Sequence, residues 1–123
     1  MRVKRQYCLT LNLRDHEGLI LEYEKYHQPG NVWPEVIESI HESGITDMQI
    51  YRSGKQLIMV MSVVDSFSFE DKSRRDKLNP KVVEWERLMA KFQYTEGETS
   101  ASAKWQPVIN IFNLAKHDLK KED

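Results

Sequence analysis

The stretch that decides the fold is DMQIYRSGKQLIMVMSVV, residues 47–64. It reads as two strands, 47–52 and 55–64, joined by Ser53-Gly54. A two-residue connection containing glycine is a hairpin signal, so the two runs are expected to be antiparallel neighbours. Immediately upstream, Pro34 opens a helix at the position where its missing N–H costs nothing. That helix is expected to turn Ile37 and Ile40 inward and to stop at Ser43-Gly44. Before it, Asp15 and His16 open a helical segment running to about Gln28, where Pro29-Gly30 breaks it. Leu19, Tyr23, Tyr26 and His27 fall at i, i+4, i+7 and i+8 on one stripe of that segment.

At the start of the chain, Val3, Arg5, Tyr7, Leu9, Leu11 and Leu13 alternate with Lys4, Gln6, Cys8, Thr10 and Asn12. Period-2 alternation of that length predicts a strand with one apolar and one mixed face. Downstream of the hairpin, Asp65-Ser66 can cap a short charged helix over 67–77, and Asn79-Pro80 restarts the chain with an N-cap and a proline at N1. Val82, Trp85, Leu88, Met89 and Phe92 then recur at helical spacing. Residues 95–104 read as a polar loop and 107–114 as a last strand. Residues 1–114 are expected to form a single domain and 115–123 a charged, frayed tail.

The resulting order is β, α, β, β, α, β, with both helical segments broken. That is the split βαβ order of a ferredoxin-like α+β sandwich. A single sheet with helices on one face leaves its other face open. The mixed face of the first strand carries too few charges for open water and too many polar groups for a core. A homodimer that pairs two sheets into a dimeric α/β barrel and encloses a cavity is the expected arrangement.

The 123 residues suffice for one domain. Lys plus Arg number 18 and Asp plus Glu 19, leaving a net charge of −1 and no basic excess to hold nucleic acid. No apolar run approaches the ~20 residues of a membrane helix, and no apolar signal core follows Met1. A lone Cys8 excludes an internal disulfide and points to a reducing, cytoplasmic setting, with no membrane partner.

No phosphate loop, cysteine pair or paired-histidine zinc motif is present, so metal and covalent chemistry are not expected. Of the four histidines, His41 and His117 read as solvated. His27 stands out. It ends a helix, shares a face with Tyr23 one turn earlier, and precedes the aromatic turn Val32-Trp33-Pro34. Histidine moves protons near pH 6.5 with little tuning. The same spacing would equally complete an ordinary buried stripe. Trp85 offers a broad apolar plate with one N–H donor, suited to a sugar's C–H face or to plain core packing. Met48, Met59 and Met61 fill a core or line a small pocket.

These residues carry a resemblance. Tyr23-Glu24-Lys25-Tyr26-His27, then Val32-Trp33-Pro34-Glu35 and Met48-Gln49-Ile50-Tyr51, resemble the L-rhamnose mutarotase family. Trp85-Glu86-Arg87-Leu88-Met89 and Val108-Ile109-Asn110-Ile111-Phe112 fit the same pattern, so the likeness runs from about Val3 to Leu114. It implies a small dimeric α+β barrel that interconverts the anomers of a 6-deoxyhexose without a cofactor. By position it implies His27 as the proton donor, Tyr23 as a substrate-binding residue and Trp85 as an aromatic substrate contact. The chain departs from the pattern at two contacts: Met48 stands where the family has a tyrosine, and Glu86 where it has a second tryptophan. Both are carried as substrate-binding candidates, with Glu86 able to hydrogen-bond a hydroxyl. A kept acid with altered sugar contacts implies the same reaction on a related sugar, L-fucose beside L-rhamnose. Barrels of this type also include cofactor-independent monooxygenases and haem-degrading enzymes. A sugar-binding domain without chemistry is the remaining alternative.

Overall fold

The computed structural model describes residues 5–94 and 105–117. Strand β1 (Arg5–Asn12) is followed by helices α1 (Glu17–Tyr26) and α2 (Pro34–Glu42). Strands β2 (Ile45–Ser53) and β3 (Gln56–Val63), helices α3 (Phe69–Leu78) and α4 (Pro80–Met89), and a short β4 (Gln106–Val108) complete the order. The four strands form one antiparallel sheet in the order β2-β3-β1-β4. This is the ferredoxin-like split βαβ arrangement expected from the sequence.

Local chemistry sets the boundaries. The β2–β3 hairpin closes with Ser53 opposite Gln56, one residue later than the sequence places it, so Gly54 and Lys55 form the turn. Gly54 supplies the positive φ there, +60°. His16 belongs outside α1: its Nδ1 accepts from the Leu19 N–H at 3.2 Å and caps the helix. The cap of α3 is Ser68, which accepts from the Asp71 N–H at 3.0 Å, so that helix starts later than Asp65-Ser66 implied. Asn79 Oδ1 caps α4 as expected, accepting from Lys81 and Val82 at 3.1 and 3.3 Å.

The helices cover the face of the sheet that carries Leu9, Leu11 and Leu13. Around Leu11, Leu13 and Leu57 gather Tyr23, Val36, Trp85, Met89 and Phe92. A second buried cluster joins Leu9, Ile45, Met61, Val63 and Phe67. Trp105 and Ile40 pack against both clusters. On α2 the inward residues are Val36 and Ile40, at i and i+4, while Ile37 is exposed. Ile37 and Val36 both lie within one turn of Ile40, at i, i+3 and i, i+4, so spacing alone admits either; the way α2 settles against the core selects Val36 and leaves Ile37 outside. Cys8 and Thr10, on the opposite sheet face, are only half-buried.

The last strand is shorter than the sequence suggests. Pairing with β1 ends at Val108, opposite Cys8, and residues 109–113 leave the ladder. Ile109, Ile111 and Leu114 stand in solvent, Ile111 at 93% exposure. The alternation that reads as a strand is real. Among the described residues, however, nothing pairs with it beyond Val108. The 95–104 loop and the tail beyond His117 lie outside the described residues.

Candidate active site at the end of the first helix

Where α1 ends, the main chain tightens. The His27 N–H turns to the Glu24 carbonyl at 3.1 Å instead of the Tyr23 carbonyl one residue earlier. The Tyr23 carbonyl is taken instead by the His27 side chain, with Nδ1 at 2.7 Å. A carbonyl can only accept, so Nδ1 carries the hydrogen and the neutral imidazole keeps its lone pair on Nε2. The turn beyond is held by Asn31, whose backbone N–H donates to Gln28 O at 2.9 Å and whose Nδ2 donates to Lys25 O at 2.6 Å. Gly30 sits inside it at φ +87°, a conformation that side-chain-bearing residues resist.

Around the imidazole the aromatic rings interlock. The Tyr23 ring lies 4.2 Å from it, and Trp85 meets its edge at 5.7 Å. Trp85 in turn takes Trp33 at 5.2 Å and Tyr26 at 6.2 Å in edge-to-face contacts. Phe92 closes the far side of Tyr23 and Tyr26 at 5.9 and 5.8 Å. The fold thus brings together Tyr23 and His27 from α1 with Trp85 from α4, residues 58 positions apart in sequence at the latter pair. Glu86, next on α4, is near enough for its carboxylate to act on the Tyr23 phenol. Met48 is elsewhere: it packs on the second cluster, opposite Met61 across the hairpin.

Burial divides the roles. Tyr23 and Trp85 are only 4% and 5% exposed, whereas His27 is half-buried and opens onto the surface. It lines an open groove of about 740 Å³ together with Pro29, Val32, Glu35, Ile37 and Glu38. That volume lies within the range of small-molecule sites. Burial lowers the His27 pKa below its ordinary value, and the hydrogen bond to the Tyr23 carbonyl opposes this only partly. At neutral pH the imidazole is therefore mainly neutral, with Nε2 ready to take a proton. Burial pushes the Tyr23 phenol well above its usual range; a hydrogen bond from Gln93 counters, and the Glu86 charge adds to the rise. Tyr23 therefore keeps its proton and can donate it in a hydrogen bond.

Gln93 is the site residue that the sequence reading passed over. It lies beyond the α4 stripe, bridged to Leu13, and a glutamine there carries no helical or strand period to mark it. Trp33 was visible only as part of an aromatic turn. Among the described residues no three His, Cys, Asp or Glu side chains form a group that could hold a metal ion.

Residues 6–114 match the family profile described as L-rhamnose mutarotase. An L-fucose mutarotase of Xanthomonas campestris pv. campestris is 37% identical over 112 residues, 91% of this chain and 90% of that protein. The chain belongs to the L-rhamnose mutarotase family. A Dictyostelium discoideum protein is 34% identical over 114 residues, 89% of this chain and 90% of its own length. The crystal structure of an L-rhamnose mutarotase from Formosa agariphila shares the fold, with a TM-score of 0.65 over 89% of this chain and 97% of that one at 17% identity. Mutarotases are isomerases of sugars, so membership makes this chain an isomerase. Among the described residues no helix is long and apolar enough to cross a membrane.

Proposed function

We propose that the protein interconverts the α and β anomers of a 6-deoxyhexose, L-fucose or L-rhamnose, without a cofactor. The observation that carries this reading is His27, which lines the groove and whose hydrogen is held on Nδ1 by a main-chain carbonyl, so that the lone pair is on Nε2. Nε2 takes the proton of the anomeric hydroxyl. The electron pair freed from that O–H bond forms the aldehyde C=O as the C1–ring oxygen bond breaks, and the ring oxygen keeps the pair of the broken bond and receives the proton back from Nε2. Both oxygens sit on the same carbon, so one imidazole can serve them in turn. Rotation about C1–C2 and the reverse sequence yield the other anomer. The same histidine is thus base and then donor, and no proton is gained or lost overall.

In this reading Tyr23 donates a hydrogen bond to the sugar, Trp85 backs its C–H face, and Glu86 accepts from a hydroxyl. A sugar entering by the groove meets His27 first. Tyr23 and Trp85 lie directly behind the imidazole, with ring centres 4.2 and 5.7 Å from it. Met48 acts on sugar choice from the neighbouring cluster. Anomer exchange followed by NMR saturation transfer on both sugars tests the assignment. His27→Ala is expected to lower the protein-catalysed rate by about 10²–10⁴-fold, the usual worth of a positioned proton transfer. An undiminished rate sinks the role given to His27. Met48→Tyr combined with Glu86→Trp is expected to change the ratio of rates on the two sugars, and an unchanged ratio removes both residues from the specificity set.

We further propose a homodimer, working in the reducing cytoplasm that the free Cys8 suits. Its support is the half-buried open sheet face and the apolar arm over 108–114, which no described residue covers. Ile111→Asp is expected to shift the protein toward monomer in analytical ultracentrifugation. A wild type that sediments as a monomer at micromolar concentration overturns the proposal.

A further inference from the structure

Gln93 is an expense in this core. It is only 3% exposed and sits among Leu13, Tyr23 and Phe92, where an apolar side chain of the same shape would pack without loss. Its position is fixed by the main chain on both sides, with Arg14 N–H donating to Phe92 O at 2.8 Å and Tyr94 N–H donating to Asn12 O at 2.9 Å. Its side chain lies close enough to the phenol of Tyr23 to hold that group's pKa down against burial, while its buried Oε1 has no hydrogen-bond partner among the described residues. A buried amide carbonyl without a donor is rare and calls for a reason.

Both facts follow from one arrangement. If the amide spends its N–H on the phenol oxygen, its carbonyl must turn the other way, into apolar surroundings. A phenol has one hydrogen and can also accept. Once the amide N–H occupies its acceptor side, the phenol hydrogen is left to point elsewhere. We infer that Gln93 is a positioning residue that holds Tyr23 as a hydrogen-bond donor toward the bound sugar. Local rules are broken where function needs it, and here the orphan carbonyl is the broken rule. This inference rests on the proposed role of Tyr23 in binding a 6-deoxyhexose.

The test is a cycle of Gln93→Met, Tyr23→Phe and the double variant, with three readings. The first needs no activity: the ¹³Cζ resonance of Tyr23 in selectively labelled protein is expected to move in Gln93→Met, because the phenol loses its donor. A resonance that stays in place overturns the inference. The second is kinetic. Gln93→Met is expected to raise KM for the preferred sugar about tenfold, the worth of one good hydrogen bond, with kcat changed much less. In the Tyr23→Phe background the same substitution is expected to change KM less than twofold. Equal effects in both backgrounds show that Gln93 does not act through Tyr23. The third is stability. Gln93→Met is expected to melt no lower than wild type, since the orphan is removed. A lower melting temperature with unchanged KM assigns Gln93 a purely structural role and also overturns the inference. If wild type accelerates no anomer exchange while the ¹³Cζ resonance still moves, the mutarotase reading fails and the Gln93–Tyr23 coupling stands.

Discussion

Phe92 is fully buried and props the rings that hold His27, so truncating it tests the core and the site together. Phe92→Ala removes a whole ring from a place with 0% exposure, where no movement of a surface group can refill the space. Such truncations cost about 3–5 kcal/mol from lost transfer energy plus the residual cavity. Part of that is the two aromatic contacts, to Tyr23 at 5.9 Å and Tyr26 at 5.8 Å, each worth about 0.5–1.5 kcal/mol beyond burial. Small domains have only about 5–15 kcal/mol in all, so a large share of the stability is at stake. For a chain of this length the loss corresponds to roughly 10–20 °C in Tm. Urea unfolding followed by tryptophan fluorescence is a suitable assay, because Trp85 and Trp33 lie in the same cluster. The midpoint is expected to fall with little change in m. Phe92→Leu, which keeps an apolar side chain, is expected to lose less. A Phe92→Ala loss under about 0.5 kcal/mol, the range of surface substitutions, refutes the packing described for this cluster. Anomer exchange measured where the variant is still folded is expected to fall as well, because Tyr23 loses its support.

The remaining predictions concern pH and local geometry. Because burial lowers the His27 pKa in the folded state, the unfolded chain binds the extra proton first as pH drops. The stability contributed by neutral His27 is therefore complete above about pH 6.5 and is lost as pH falls from there through the folded value. His27→Gln is expected to flatten this acid slope in denaturant titrations. The acid limb of anomer exchange is expected to have its midpoint below 6.5, and a midpoint above that value contradicts the burial described. Gly44 has φ +97°, and an added Cβ would lie 2.9 Å from Val64 Cγ2. Gly44→Ala is expected to cost on the order of 2 kcal/mol or more, from the left-handed backbone and the clash together, by urea midpoint. Asn79→Ala removes the cap of α4 and is expected to cost about 1 kcal/mol. Its effect on anomer exchange is expected to be small unless the first turn of α4 frays as far as Trp85.

How much could be read without coordinates depended on range. The order of the elements followed from alternation, helical spacing and turn residues. The hairpin at Gly54, the proline at the start of α2 and the cap at Asn79 all stand within a residue or so of their expected places. Tyr23 and His27 shared a face by spacing alone, since four residues make one helical turn. The tautomer of His27 was not legible. It depends on the first carbonyl that the fraying helix end releases, and that is a matter of main-chain geometry. Gln93 was missed because a single buried amide has no period.

Local dihedral preferences and side-chain patterning act over a few residues, and they alone determined the strands, the helices and the His27–Tyr23 pair. Only the tertiary structure decided that Trp85 meets His27, that Met48 falls in the other cluster, and that Ile37 faces outward. Those outcomes depend on how α1, α2 and α4 settle against the sheet, which is set by close packing between residues far apart in sequence. The last strand marks the boundary between the two. Its alternation was written in residues 107–114, yet among the described residues only Gln106–Val108 pairs. A strand needs a neighbour to satisfy its backbone, and the sequence of one edge cannot say where that neighbour ends.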